Sequence, residues 1–144
     1  MKYGFLILIT LLASCKTKPA VTPTEIDTFE QLAQSYQTTY MDGSENCEEI
    51  LAAMDENIKM SENGKTWTYP DLKKFCPHLP KKNVVETYND QRLLNSDWGY
   101  DFVSQLYVTS KKDTIRETVS RIWEKKNNTW KIVQMNNLLK KEVN

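Results

Sequence analysis

Apolar and polar residues recur along this chain with two different periods, and the change of period divides it. Between residues 27 and 54 the apolar positions come every three or four. Phe29, Leu32, Ala33, Tyr36 and Tyr40 fall on one face of a helix, and Cys47, Ile50, Leu51 and Met54 form a second stripe. Asp27 with Glu30, and Asn46 with Glu49, have the spacing of N-terminal capping boxes, while Asp42-Gly43 ends the first helix. Short strands at 58–60 and 66–69 follow, joined by a turn whose Asn63-Gly64 pair is a strong hairpin signal. Pro70 suits the first turn of a short third helix that ends before Pro77. From residue 84 onward the period is two. Segments 84–88, 98–109, 114–125 and 130–138 are rich in aromatic and β-branched residues, with turn chemistry between them. The alternation of Trp98, Tyr100, Phe102, Leu106 and Val108 makes one face of the second segment mostly apolar and points Asp101 away from it. Helices followed by long strands predict an α+β fold, a curved antiparallel sheet covered by three N-terminal helices.

The beginning of the chain follows neither period. Residues 5–13 are apolar except for Thr10, a run well short of the roughly 20 residues that cross a bilayer. Lys2 precedes it and Ala13-Ser14 follow, the order of a secretory signal. Leu12-Ala13-Ser14-Cys15 resembles the bacterial lipobox, which implies a signal peptide at 1–14 and a lipidated Cys15; an ordinary signal with a chance cysteine, or a buried strand, is the alternative. Acyl chains contribute about 0.8 kcal/mol per buried methylene, so a multiply acylated cysteine anchors a soluble domain firmly. Residues 16–24 hold two prolines and no apolar period, as an extended tether would. Lys16 is not the aspartate that resembles an inner-membrane retention signal, which favours a periplasm-facing anchor in the outer membrane.

Charge then narrows the function. Nineteen basic residues balance nineteen acidic ones, so no field attracts nucleic acid, and Lys111-Lys112 and Lys140-Lys141 read as solvated ends. Residues 25–144 suffice for one domain. Cys76 and His78 stand two apart beside prolines with no second pair at zinc spacing, so no metal and no cofactor is expected. Cys47 and Cys76 either pair in an oxidising envelope or remain two buried thiols.

The order of these elements, with "SRIWEKKNNTWKIVQMNN" at 120–137, resembles the nuclear transport factor 2-like superfamily. The resemblance is in particular to the SnoaL-like and calmodulin-dependent-kinase association-domain branch. The matching positions are Arg121, Ile122 and Trp123, then a turn, Trp130, Ile132-Val133 and the polar stretch 134–137. "MDENIKMSENGK" is similar to the family's second-helix end, first strand and turn. The resemblance covers residues 25–144 and implies a cone-shaped, cystatin-like roll with a pocket between sheet and helices. Family members include isomerases, dehydratases, hydrolases, binding modules and oligomerisation modules, so the fold names no reaction.

Carried onto this chain, the resemblance sets Arg121 in the pocket, Asn137 at a terminal-strand pocket position and Tyr36 at a carbonyl-polarising position. It leaves Glu62 as the nearest carboxylate to the family's general base, one position out of step, and sets Phe102 where the association domains have a second arginine. The expected ligand-binding set is Arg121, Tyr100, Phe102, Trp123, Met135, Asn137 and Tyr40. Glu62 and Tyr36 are the catalytic candidates, and Glu62 is the expected partner of Arg121. On that reading Arg121→Leu strands no charge. The aromatic residues serve equally well as core, and His78 reads as a surface loop. A pocket arginine favours an anionic or carbonyl-bearing ligand. The reading that results is a membrane-anchored ligand binder or homodimeric scaffold, the dimer face carrying Trp130 and Ile132. A cofactor-independent lyase, isomerase or hydrolase using Glu62, Tyr36 and Arg121 is the alternative.

Overall fold

The structure is a computed structural model that describes residues 20–142; the predicted signal peptide, Cys15 and the first part of the tether lie outside them. Helix α1 (Pro23–Asp42) begins four residues before the expected cap. Thr22 caps it instead: its hydroxyl accepts from the Glu25 N–H, and the Glu25 carboxylate accepts from the Thr22 N–H at 2.9 Å. Pro23 at the first helical position costs no hydrogen bond there. Of the expected stripe Phe29, Ala33, Tyr36 and Tyr40 are buried, joined by Met41, while Leu32 is partly buried at its edge. Gly43 closes the helix at φ 82°, with the backbone of residues 79–81 packed where a side chain would stand.

Helix α2 (Cys47–Ala52) is shorter than its stripe suggested, because Met54 already belongs to strand β1 (Met54–Glu62). Asn63 and Gly64, both at positive φ, turn β1 into β2 (Lys65–Trp67) as expected. Helix α3 (Tyr69–Phe75) starts at Thr68, whose N–H and hydroxyl both donate to the Asp71 carboxylate. Cys76 is disulfide-bonded to Cys47, which ties the segment after α3 to the start of α2. His78 is exposed.

Strands β3 (Asn83–Leu94), β4 (Trp98–Val108), β5 (Thr114–Lys126) and β6 (Thr129–Lys141) complete one six-stranded sheet in the order β2-β1-β6-β5-β4-β3. Neighbours run antiparallel except β1 and β6, which pair in parallel with Met60 opposite Met135. The helices cover the concave face, where Phe29, Tyr36, Val103, Val119, Trp123, Ile132 and Met135 make the core.

Two facings differ from the sequence expectation. In β4 the buried residues are Gly99, Asp101, Val103, Gln105 and Tyr107, so Trp98, Tyr100, Phe102, Leu106 and Val108 line the outer face. In β6 the pairing skips a residue: Ile122 faces Gln134 but Trp123 faces Ile132, leaving Val133 as a bulge. Strict alternation puts Ile132 opposite to Met135 and Asn137. The extra residue restores Ile132 to the inner face, wholly buried, and sets Trp130 against Phe29 with ring centroids 5.3 Å apart. Neither is available as an outer dimer surface.

Candidate functional site

The inner face of the sheet is polar at its centre. Register places Arg92 on β3, Asp101 on β4 and Arg121 on β5 side by side, so three charges cross three strands. Arg121 is fully buried, and its Nε donates to Asp101 Oδ1 at 3.0 Å. Another of its nitrogens donates to the Gln37 side-chain carbonyl from α1. The guanidinium also lies over the Tyr36 ring, 5.0 Å from its centroid. Trp123 donates its indole N–H to the same Asp101 oxygen at 3.2 Å. Burial pushes the Asp101 carboxyl above the usual aspartate range, with Arg121 and Trp123 opposing the shift. The expectation that Glu62 partners Arg121 therefore fails: the partner is Asp101, which faces in because the β4 facing is the reverse of the one its apolar residues suggested.

A second buried cluster is formed by Lys82, Gln105, Glu117 and Asn137. Lys82 Nζ sits 2.8 Å from Glu117 Oε1 and over the Tyr40 ring at 4.3 Å. Gln105 donates to the other Glu117 oxygen at 2.7 Å. The Asn137 amide nitrogen faces three oxygens, at 3.1 Å from Glu117, 3.3 Å from Tyr40 and 3.4 Å from Glu62. Burial and the neighbouring Glu117 and Glu62 carboxylates hold the Tyr40 phenol well above its ordinary pKa. Lys82, Gln105 and Glu117 escaped sequence reasoning. Alternation along β4 and β5 carried the signal for the last two, since each shares a face with a residue of the Asp101–Arg121 pair.

Glu62, at the end of β1, opens onto a cleft roofed by α2 and α3. Ile50, Met54, Met60, Leu72 and Leu79 supply its apolar wall, with Tyr40 inside and Trp67 and Phe75 at 5.4 Å from each other. Among the described residues Glu62 is the only charged one lining it, and the cleft holds a void of about 30 Å³. That space admits a water-sized group or two. Tyr36 and Arg121 do not line this cleft, so the three candidates for an acid–base reaction do not meet in it. Of the expected ligand-binding set, Arg121, Trp123, Met135, Asn137 and Tyr40 face the interior, whereas Tyr100 and Phe102 face outward. Among the described residues no cluster of three or more His, Cys, Asp or Glu could hold a metal ion, and no helix is long and apolar enough to cross a membrane.

No protein-family model and no curated protein matches this sequence. Solved structures do match it in shape. A nuclear transport factor 2-like protein of unknown function from Pseudomonas aeruginosa superposes with a TM-score of 0.63 at 8% identity, over 78% of this chain and 98% of its own. The fold is nuclear transport factor 2-like. A ketosteroid isomerase candidate from Parabacteroides distasonis gives 0.66 at 11% identity, over 85% and 96%. The association domain of a calmodulin-dependent kinase from Caenorhabditis elegans gives 0.62 at 16% identity, over 81% and 98%.

Proposed function

We propose that this nuclear transport factor 2-like domain is a small-molecule-binding module, held on the cell envelope through a lipid on Cys15, whose ligand enters the cleft roofed by α2 and α3. The carrying observation is the cleft lining itself: apolar walls around one carboxylate, Glu62, that no lysine or arginine among the described residues pairs with. Sites of this composition orient a mostly apolar ligand through a few polar groups. The buried arginine does not carry the reading, because Asp101 and Gln37 already occupy it. Nor does an acid–base mechanism, since Tyr36 and Arg121 lie outside the cleft that holds Glu62. A fragment screen read by NMR tests the proposal. Bound fragments should shift the Trp67 indole and the Met60 methyl signals together; a screen that moves neither refutes it.

A second reading, a homodimeric scaffold, rests on the outer sheet face. Leu93, Tyr100 and Ile122 stand in one cross-strand row, with Trp98 and Phe102 beside it, and Leu93, Trp98 and Ile122 are exposed. Such a row is a large apolar area to leave in water, at about 25 cal/mol per Å². The solved association domain with the same fold supports this reading. Both readings can hold at once, since the cleft and the outer face lie on opposite sides of the sheet.

A further inference from the structure

Glu62 is half-buried in apolar surroundings, and its hydrogen-bond donor is the Asn137 amide nitrogen, 3.4 Å away, which also faces Tyr40 and Glu117. A carboxylate among apolar walls needs a donor or a positive charge to offset its lost hydration. The nearest cation along the hairpin, Lys65, stands directly across from Glu62 in the β1–β2 register, yet its ammonium rests over the Trp67 ring, 4.2 Å from the centroid. The deeper cation, Lys82, is taken by Glu117. Trp67 also keeps its indole N–H buried without a hydrogen-bond partner, a second unused polar group in the same lining.

The geometry points to an organic ammonium as the ligand: a small positively charged head on Glu62, and a flat apolar body along Trp67 and Phe75. This inference rests on the cleft being a binding site and adds the charge of what it binds. The void of about 30 Å³ admits the head alone, which is why the body must lie at the mouth. There Phe75 is 39% exposed and tilted against Trp67, as a surface for stacking should be. Tyr40 and Trp67 line the cleft together with Glu62, and aromatic rings attract cations most strongly where water is excluded. An ammonium N–H brings a positive charge to its hydrogen bond with the carboxylate, which the neutral Asn137 amide does not. The same lining disfavours anions, because among the described residues no lysine or arginine lines it and Glu62 repels them.

Three probes of one shape separate the possibilities: benzylammonium, benzyl alcohol and benzoate, each titrated near pH 7 into the mature domain while the Trp67 indole signal is followed. Benzylammonium should bind at least tenfold more tightly than benzyl alcohol, and benzoate should not bind. Glu62→Gln keeps the side-chain shape and should lower benzylammonium to the affinity of the alcohol, without changing the alcohol. Equal binding of amine and alcohol to the parent protein, or an amine preference that survives Glu62→Gln, overturns the charge assignment while the cleft remains a site. Silence of the indole with all three probes overturns the cleft reading itself.

Discussion

Arg121 and Asp101 stand directly opposite each other on neighbouring antiparallel strands, both wholly buried, and close an ion pair of 3.0 Å at the centre of the concave face. Removing one charge strands the other. Arg121→Leu should destabilise the domain by about 3–5 kcal/mol, the cost typical of breaking a buried pair. The double substitution Arg121→Leu with Asp101→Leu should cost less than Arg121→Leu alone. Urea unfolding of the single and double variants measures this. Additive losses would show that the two side chains are not coupled.

The Cys47–Cys76 bond closes a loop across 29 residues that contains β1, β2 and α3, the walls and roof of the cleft. Replacing both cysteines with serine should lower stability by about 2–4 kcal/mol, through a less constrained unfolded chain. Thermal unfolding with and without reductant should show the same loss in the parent protein and none in the double variant.

Gly99 faces the core beneath Phe29, and a Cβ built there would lie 2.3 Å from the Phe29 ring. Phe29 in turn meets Trp123 edge-on at 6.0 Å. Gly99→Ala should therefore cost about 1–3 kcal/mol, as overpacking does. Near-ultraviolet circular dichroism should record the displaced aromatic cluster. An unchanged spectrum and unfolding midpoint would mean that α1 yields freely.

The dimer reading has its own variant. Ile122→Lys puts a charge at the β5 end of the outer-face row that includes Leu93 and Tyr100. Light scattering should report a dimer for the mature parent and a monomer for the variant, with the circular dichroism of the helices unchanged. A monomer mass for the parent at high micromolar concentration rules the scaffold out.

For the anchor, Cys15→Ser should prevent lipid attachment and leave unprocessed or soluble protein. Membrane fractionation and the intact mass decide it. A Cys15→Ser protein that still carries diacylglycerol ends the lipobox reading.

The fold was legible where one physical requirement fixed the pattern. The buried stripe of α1 repeats at helical spacing because a helix on a sheet has a single apolar face, and Asn63-Gly64 turns because it tolerates positive φ. The site was harder to read for the opposite reason. Its interior is charged, so the apolar side of β4 turned out to be the outer one, carrying Tyr100 and Phe102, while Asp101 went inside. Only the fold could show that Arg121 needs a carboxylate 20 residues away. The bulge at Val133 has no sequence signature, and it alone moved Trp130 and Ile132 from the expected surface to the core.

The parallel pairing of β1 with β6 has a consequence for how the molecule is assembled. Strand β6 joins the hairpin of β1 and β2 to the meander of β3, β4 and β5, yet it comes last of the six in chain order. Until it is in place the hairpin has no sheet to extend, and α3 has only that hairpin beneath it. The cleft thus depends on a strand far downstream of β1, with Met60 waiting for Met135, and closing so long a separation is slow. A nascent chain would expose Met60 and Trp67 throughout that wait, which makes this hairpin the stretch where a chaperone should first take hold.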